Sequence, residues 1–126
     1  YKRQVLGNGL QKKSYLHVSD CVDGMIYGFE NTPAPLQIFN LASEGVTTVK
    51  FIAEEVVKQI KEKTKHMASI EYEKTDRGWV GDNPFIFLET KKIRATGWKP
   101  ALTIEQGIGR TLQWLQANRW VYEKRD

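Results

Sequence analysis

The sequence predicts a small mixed α/β domain. Short apolar, strand-like runs at residues 4–6, 36–41 and 69–73 are interspersed with segments of helical periodicity. The clearest of those segments places Val49, Ile52, Ala53, Val56, Val57 and Ile60 at spacings of three and four, one apolar face of a helix. The order of strands and helices also lacks the strict alternation of a complete doubly wound sheet.

Taken in order, Gln4-Val5-Leu6, the Gly7-Asn8-Gly9 cluster and Ser14 to Val18 read as a strand, a turn and a returning strand, with His17 on the second strand. The two glycines supply the positive φ values that a tight reversal needs. Ser19 or Asp20 is predicted to cap a helix with Asp23 in its first turn, carrying Val22, Met25 and Ile26 and running to about Glu30. Asn31 to Pro35 ends it, because proline cannot continue a helix. Leu36 to Leu41 reads as a buried strand, and Ala42 to Gly45 as a turn. Thr47 or Thr48 caps the Val49–Ile60 helix, whose other face holds Lys50, Glu54, Glu55, Lys58, Lys61 and Glu62. Ser69 to Glu73 alternates as a strand, and a glycine-containing loop runs from Lys74 to about Glu89. A short helix from Lys91 to Thr96 stops at Gly97. Thr103 and Gln106 have the spacing of a capping box, opening a helix through Ile108, Leu112 and Leu115 to about Asn118. Gly107 and Gly109 weaken that helix by up to about 1 kcal/mol each unless close packing requires them.

The 126 residues, 1–126, read as a single domain. Apolar residues make up 40% and charged residues 27%, which argues against intrinsic disorder and for a real core. The charge is +4, mild enough to permit an anionic partner without demanding one. No apolar run is long enough to span a membrane, and no segment has the order of a signal peptide. The single cysteine, Cys21, forms no internal disulfide, which fits a cytoplasmic location. His17 and His66 lie far apart, so a zinc site is not expected. The chain starts at Tyr1, which reads as a piece of a longer protein.

No G-x-S-x-G elbow, Cys–His pair or P-loop is present, and the sequence offers no self-sufficient active site. Gly7 and Gly9 begin a G-x-G, but Lys12 stands where the third glycine of a dinucleotide fingerprint falls and a strand follows. Three clusters remain. Residues 7–20 are either a hairpin with two solvated lysines or a site in which Lys13 faces an anionic group such as a diphosphate. Residues 76–84 are either a binding loop, with Arg77 suited to phosphate and Trp79 to stacking, or a surface loop anchored by Trp79. Residues 97–100 read as structural, with Trp98 packed and Pro100 ending the segment.

Together these blocks resemble the C-terminal half of NAD-dependent sugar-nucleotide epimerases and dehydratases of the extended short-chain dehydrogenase/reductase family. The resemblance rests on GNGLQKKSYLHVSDCVDGM at 7–25, IFNLASEGVTTVKFIAEEV at 38–56, DRGWVGDNP at 76–84 and KKIRATGWKPALTIEQGIGRTLQWL at 91–115, in the family's order and spacing. It implies a small α/β substrate-binding subdomain with the Rossmann half absent. NAD and the catalytic Tyr-x-x-x-Lys pair would belong to that other half; Tyr1 is followed four residues on by Val5 and does not supply the pair. No catalytic or metal-binding residue is therefore expected here, and the isolated chain is expected to be inactive. The implied partners are a nucleotide sugar and the chain's own N-terminal Rossmann domain, in a parent that is a homodimer, with no nucleic acid and no membrane. Carried over by position, Lys13 stands where the family usually has a diphosphate-binding Arg, and it keeps the charge while losing the fork. Arg77 matches the Arg that reaches the same diphosphate from the opposite loop. Asp82 matches an acidic position that orients this Arg or a ribose hydroxyl. His17 and Asp20 match a structural H-V-x-D block. The RGWVGD form is closer to C4 epimerases than to 4,6-dehydratases, the second reading. A non-catalytic basic binding module is the third, motivated by lysines that are nevertheless interleaved with glutamates.

Overall fold

In the computed structural model of the protein, residues 2–32, 36–65 and 68–123 are described, Lys2 and Arg3 by their backbone alone. The readings that fall on Tyr1, Pro33, Ala34, Pro35 and His66 lie outside them. The elements are β1 (Lys2–Val5), β2 (Lys12–Lys13), α1 (Val18–Glu30), β3 (Thr47–Thr48), α2 (Val49–Thr64), β4 (Ser69–Tyr72), β5 (Phe85–Ile86), α3 (Lys91–Arg94), α4 (Ile104–Ala117) and α5 (Trp120–Glu123).

β1 runs parallel to β4, with Lys2 opposite Ser69 and Val5 opposite Tyr72. β2 is the centre of a second sheet, antiparallel to β3 and parallel to β5. The expected hairpin is therefore not formed. Gly7 (φ +78°) and Gly9 (φ +76°) turn the chain out of one sheet and into the other. That turn is pinned to the segment after β4, because the Gly7 N–H donates to Glu73 Oε2 at 3.1 Å and the Asn8 N–H to the Thr75 carbonyl at 2.7 Å. The returning strand shrinks to Lys12–Lys13 and does not extend over Ser14 to Val18. Beyond it, the Ser14 hydroxyl donates to the Gly45 carbonyl and His17 turns into the next helix.

His17, read as a strand residue, caps α1: its Nδ1 accepts the Ser19 N–H at 3.2 Å. Ser19 and Asp20, the expected caps, lie inside the helix. Asp20 turns inward instead and, buried, accepts the Leu102 N–H at 3.1 Å. One turn on, Asp23 accepts the Trp98 indole N–H at 3.0 Å, and the Tyr27 hydroxyl donates to the Thr96 carbonyl at 2.6 Å. A β-carbon at Gly24 would lie 2.8 Å from the Trp98 ring, so only glycine admits that indole. The inward face of α1 is thus Asp20, Gly24 and Gly28, while Val18, Val22, Met25, Ile26 and Phe29 face outward.

Leu36 to Leu41 was predicted as a buried strand and is not one. It pairs with no strand among the described residues, and Leu36 and Ile38 are 80% and 75% exposed. Phe39 turns back under α1, where a groove of about 470 Å³ is lined by Met25, Phe29, Leu36, Phe39 and Leu41.

The remaining helices follow the sequence closely. Thr48 caps α2 by accepting the Phe51 N–H at 3.1 Å, and Lys65 closes it in the left-handed region at φ 58°. Thr103 and Gln106 make both bonds of the capping box on α4. α2 packs on α4, where Gln59 donates to the Glu105 carbonyl at 3.0 Å and passes closely over Gly109. Gly107 lies against His17, so both helical glycines sit at close approaches. α3 is shorter than the expected Lys91 to Thr96, covering Lys91–Arg94 with a turn that runs on to Gly97 (φ +103°), and α5 is an added turn that the sequence does not indicate. Ala42, Ile93 and Trp98 form the buried apolar centre among the described residues.

Candidate functional site

The site is built where the short second sheet meets the loop that follows β4. β2 is held on the β5 side by the Lys12 N–H, which donates to the Pro84 carbonyl at 2.7 Å, and the Ser14 N–H, which donates to that of Ile86 at 3.2 Å. These two bonds bring residues 76–84 alongside Lys13. The Lys13 ammonium donates to Asp82 Oδ1 at 2.6 Å, and the Gly78 N–H donates to Oδ2 at 3.2 Å. The Asp82 N–H closes a turn on the Trp79 carbonyl at 3.0 Å. Each carboxylate oxygen therefore has its own donor, and the side chain is only 9% exposed against 29% for Lys13.

Charge assistance makes this a strong contact. The hydrogen bond from Lys13, with the Gly78 amide behind it, holds the Asp82 carboxyl below its ordinary range. The same bond to Asp82 holds the Lys13 ammonium above its own. Tyr15 stands two residues on from Lys13. Burial pushes its phenol up, and the Lys13 charge partly offsets that. Tyr15 was not singled out from the sequence, though its i+2 spacing from Lys13 was the available signal.

Of the three residues singled out for substrate, Lys13 and Asp82 are brought together. Arg77 lies in the same loop but does not pair with Asp82. It is exposed, and among the described residues its guanidinium has no ion-pair or hydrogen-bond partner. Its backbone lies against Gly7, where an added β-carbon would be 3.0 Å from the Arg77 carbonyl. Trp79 does not anchor the loop in the core: it is 67% exposed and its ring folds over Gly81. The result is a Lys13–Asp82 ion pair beside a loop whose exposed Arg77 guanidinium is unpaired among the described residues.

The glycine turn does not fit a dinucleotide. Gly7–Gly9 leads into β2, not into a helix N-terminus, so it cannot present backbone amides to a pyrophosphate as that fingerprint does. Among the described residues no group of His, Cys, Asp and Glu could hold a metal ion. No helix there is long and apolar enough to cross a membrane. Several lysines of the basic surface are already matched, Lys50 with Glu54, Lys58 with Glu55 and Lys91 with Glu89.

No protein-family model matches the chain. It is 28% identical over 119 residues to the dTDP-D-glucose 4,6-dehydratase of Mus musculus, covering 89% of this chain and 31% of that one. It is 27% identical over 116 residues to a putative UDP-glucose 4-epimerase of Methanocaldococcus jannaschii, covering 90% and 34%. In fold it matches the UDP-glucose 4-epimerase of Thermotoga maritima, solved with UDP-glucose, at a TM-score of 0.72 and 22% identity, over 94% of this chain and 36% of that one. The chain spans about a third of the length of the curated relatives it matches. By sequence it is a homologue of sugar-nucleotide dehydratases and epimerases, and its small α/β fold matches about a third of the solved epimerase chain.

Proposed function

We propose that this chain binds and positions the nucleotide sugar in an NAD-dependent sugar-nucleotide epimerase acting at C4. The observation that carries the reading is the convergence of Lys13 on β2 with the loop bearing Arg77, joined by the 2.6 Å Lys13–Asp82 contact. In this reading Lys13 and Arg77 hold the diphosphate from two sides. The work is positioning, which removes translational freedom from the reacting sugar. The solved Thermotoga maritima epimerase of the same fold carries UDP-glucose, which supports a nucleotide sugar as the ligand class.

NAD and the groups that move protons belong, in this proposal, to a Rossmann domain that α1 and residues 36–41 face. A helix that buries Asp20 and two glycines while exposing Val22, Met25, Ile26 and Phe29 has its apolar stripe turned toward a partner. The apolar 36–41 segment beside it fits a strand completing that partner's sheet. A cytoplasmic, dimeric parent is part of the same proposal. A second reading, a 4,6-dehydratase, is favoured by one observation: the mouse relative at 28% identity is one. Lys13 and Arg77 serve the diphosphate in both.

Titration of UDP-glucose and dTDP-glucose, followed by amide NMR, tests the proposal. Shifts at Lys13 and residues 76–82 that disappear in Arg77→Ala support it, and the tighter nucleotide favours one reading over the other. Unchanged spectra at millimolar ligand contradict a diphosphate site in this chain.

A further inference from the structure

We propose that Asp82 is an internal competitor for the anion that Lys13 and Arg77 bind. It would set how much of the Lys13 charge a diphosphate can use. The inference rests on the proposed diphosphate site and adds to it an opposing group within the chain.

Three observations carry it. Asp82 lies against the Lys13 ammonium at 2.6 Å, the place a phosphate oxygen would take. Its other oxygen accepts the Gly78 N–H, the amide next to Arg77, so the same carboxylate also occupies a backbone donor that faces the site. Arg77 itself is unmatched among the described residues. One ammonium thus stands between a fixed carboxylate and an incoming multivalent anion, and like charges held close together repel.

The consequence is a two-step contact. Arg77 captures the diphosphate first. Transfer of Lys13 from Asp82 to a phosphate oxygen then frees the Gly78 amide, which becomes a further donor to the ligand. A single phosphate captured by Arg77 lacks the second charged group that reaches Lys13, so the competitor favours diphosphates over monophosphates. Affinity for the site is reduced by the fraction of chains in which Lys13 remains with Asp82.

The test uses this chain with UDP, UMP and inorganic pyrophosphate as probes, with Asp82→Asn and Arg77→Ala as variants. Asp82→Asn is expected to bind UDP about fivefold more tightly, since the competing charge is gone while its amide oxygen can still accept from Gly78. Its preference for UDP over UMP is expected to narrow. On adding UDP to the wild type, the Gly78 amide resonance is expected to shift as its bond to Asp82 opens, which simple removal of a repelling charge does not predict. Weaker UDP binding by Asp82→Asn with a folded-state spectrum would overturn the competitor and make Asp82 a positioning residue. A wild-type Gly78 resonance that stays fixed while UDP binds would overturn it too, leaving the diphosphate site intact. If wild type and Arg77→Ala are alike in failing to bind any probe, the diphosphate site itself falls, and the competitor with it.

Discussion

Ile93 is the largest fully buried side chain among the described residues, and Trp98 beside it is 4% exposed. Truncating Ile93 to Ala removes buried volume that the small core has little else to fill. A loss of about 2–5 kcal/mol is expected, read from the midpoint of urea unfolding. Arg77 is the opposite case. It is exposed and unmatched among the described residues, so Arg77→Ala is expected to move stability by less than about 0.5 kcal/mol. A stability-neutral change that abolishes nucleotide binding separates a ligand role from a structural one. The sequence offered Lys13 and Arg77 as cations suited to an anionic group, while Asp82 came from the resemblance alone. It did not reveal which of them pair. Lys13 and Asp82 are 69 positions apart, and only the parallel run of β2 beside β5 brings them together. Asp82 therefore pairs with Lys13, where the resemblance implied a group orienting the arginine or a ribose hydroxyl.

At the scale of elements, the caps of α2 and α4 were the most legible feature, because each is a local bond between residues three apart. Thr103→Ala removes one bond of the α4 capping box and is expected to cost about 1 kcal/mol, measured by the same urea midpoint. α2 and α4 were readable from their apolar periodicity, although those apolar faces are only half-buried and the buried residue of α2 is Glu55, expected on its polar face. α1 was readable as a helix, but its cap shifted to His17 and its apolar stripe faces outward. Periodicity finds a stripe; it does not say which molecule covers it. The 36–41 segment failed for a related reason: six mainly apolar residues read as a buried strand, yet burial and pairing need a sheet that no other described residues provide. The short sheet of β2, β3 and β5 was not legible at all, since two-residue strands carry no period. If the outward face of α1 belongs to a partner, Phe29→Glu changes the stability of this chain little, Phe29 being 87% exposed. The same substitution is expected to weaken association with a Rossmann domain supplied in trans, measured by analytical ultracentrifugation.

For the molecule as a whole, the ionised groups make stability depend on pH in a defined direction. Hydrogen bonds from Gln59 and Lys58 hold Glu55 low, Lys13 does so for Asp82, and the Lys91 backbone amide does so for Glu89. A carboxylate with a depressed value when folded adds stability above its unfolded value, and that stability is lost as pH falls through the folded one. Lys13 and Lys58, both raised by their carboxylate partners, add stability that is lost only as pH rises beyond the ordinary lysine range. The urea midpoint is therefore expected to be nearly flat between about pH 6 and 9 and to fall below about pH 4. Asp82→Asn should shallow the acid fall, and an unchanged fall would show that the Lys13 pair does not contribute.

The central claim is that two cations from separate parts of the fold, Lys13 on β2 and Arg77 on the following loop, form one diphosphate site. Calorimetric titration of UDP into the wild type, Lys13→Met, Arg77→Ala and the double variant tests it most directly. The account predicts that each single variant weakens binding and that the two losses are not additive, because both groups grip one ligand. Equal UDP affinity in all four proteins would contradict it.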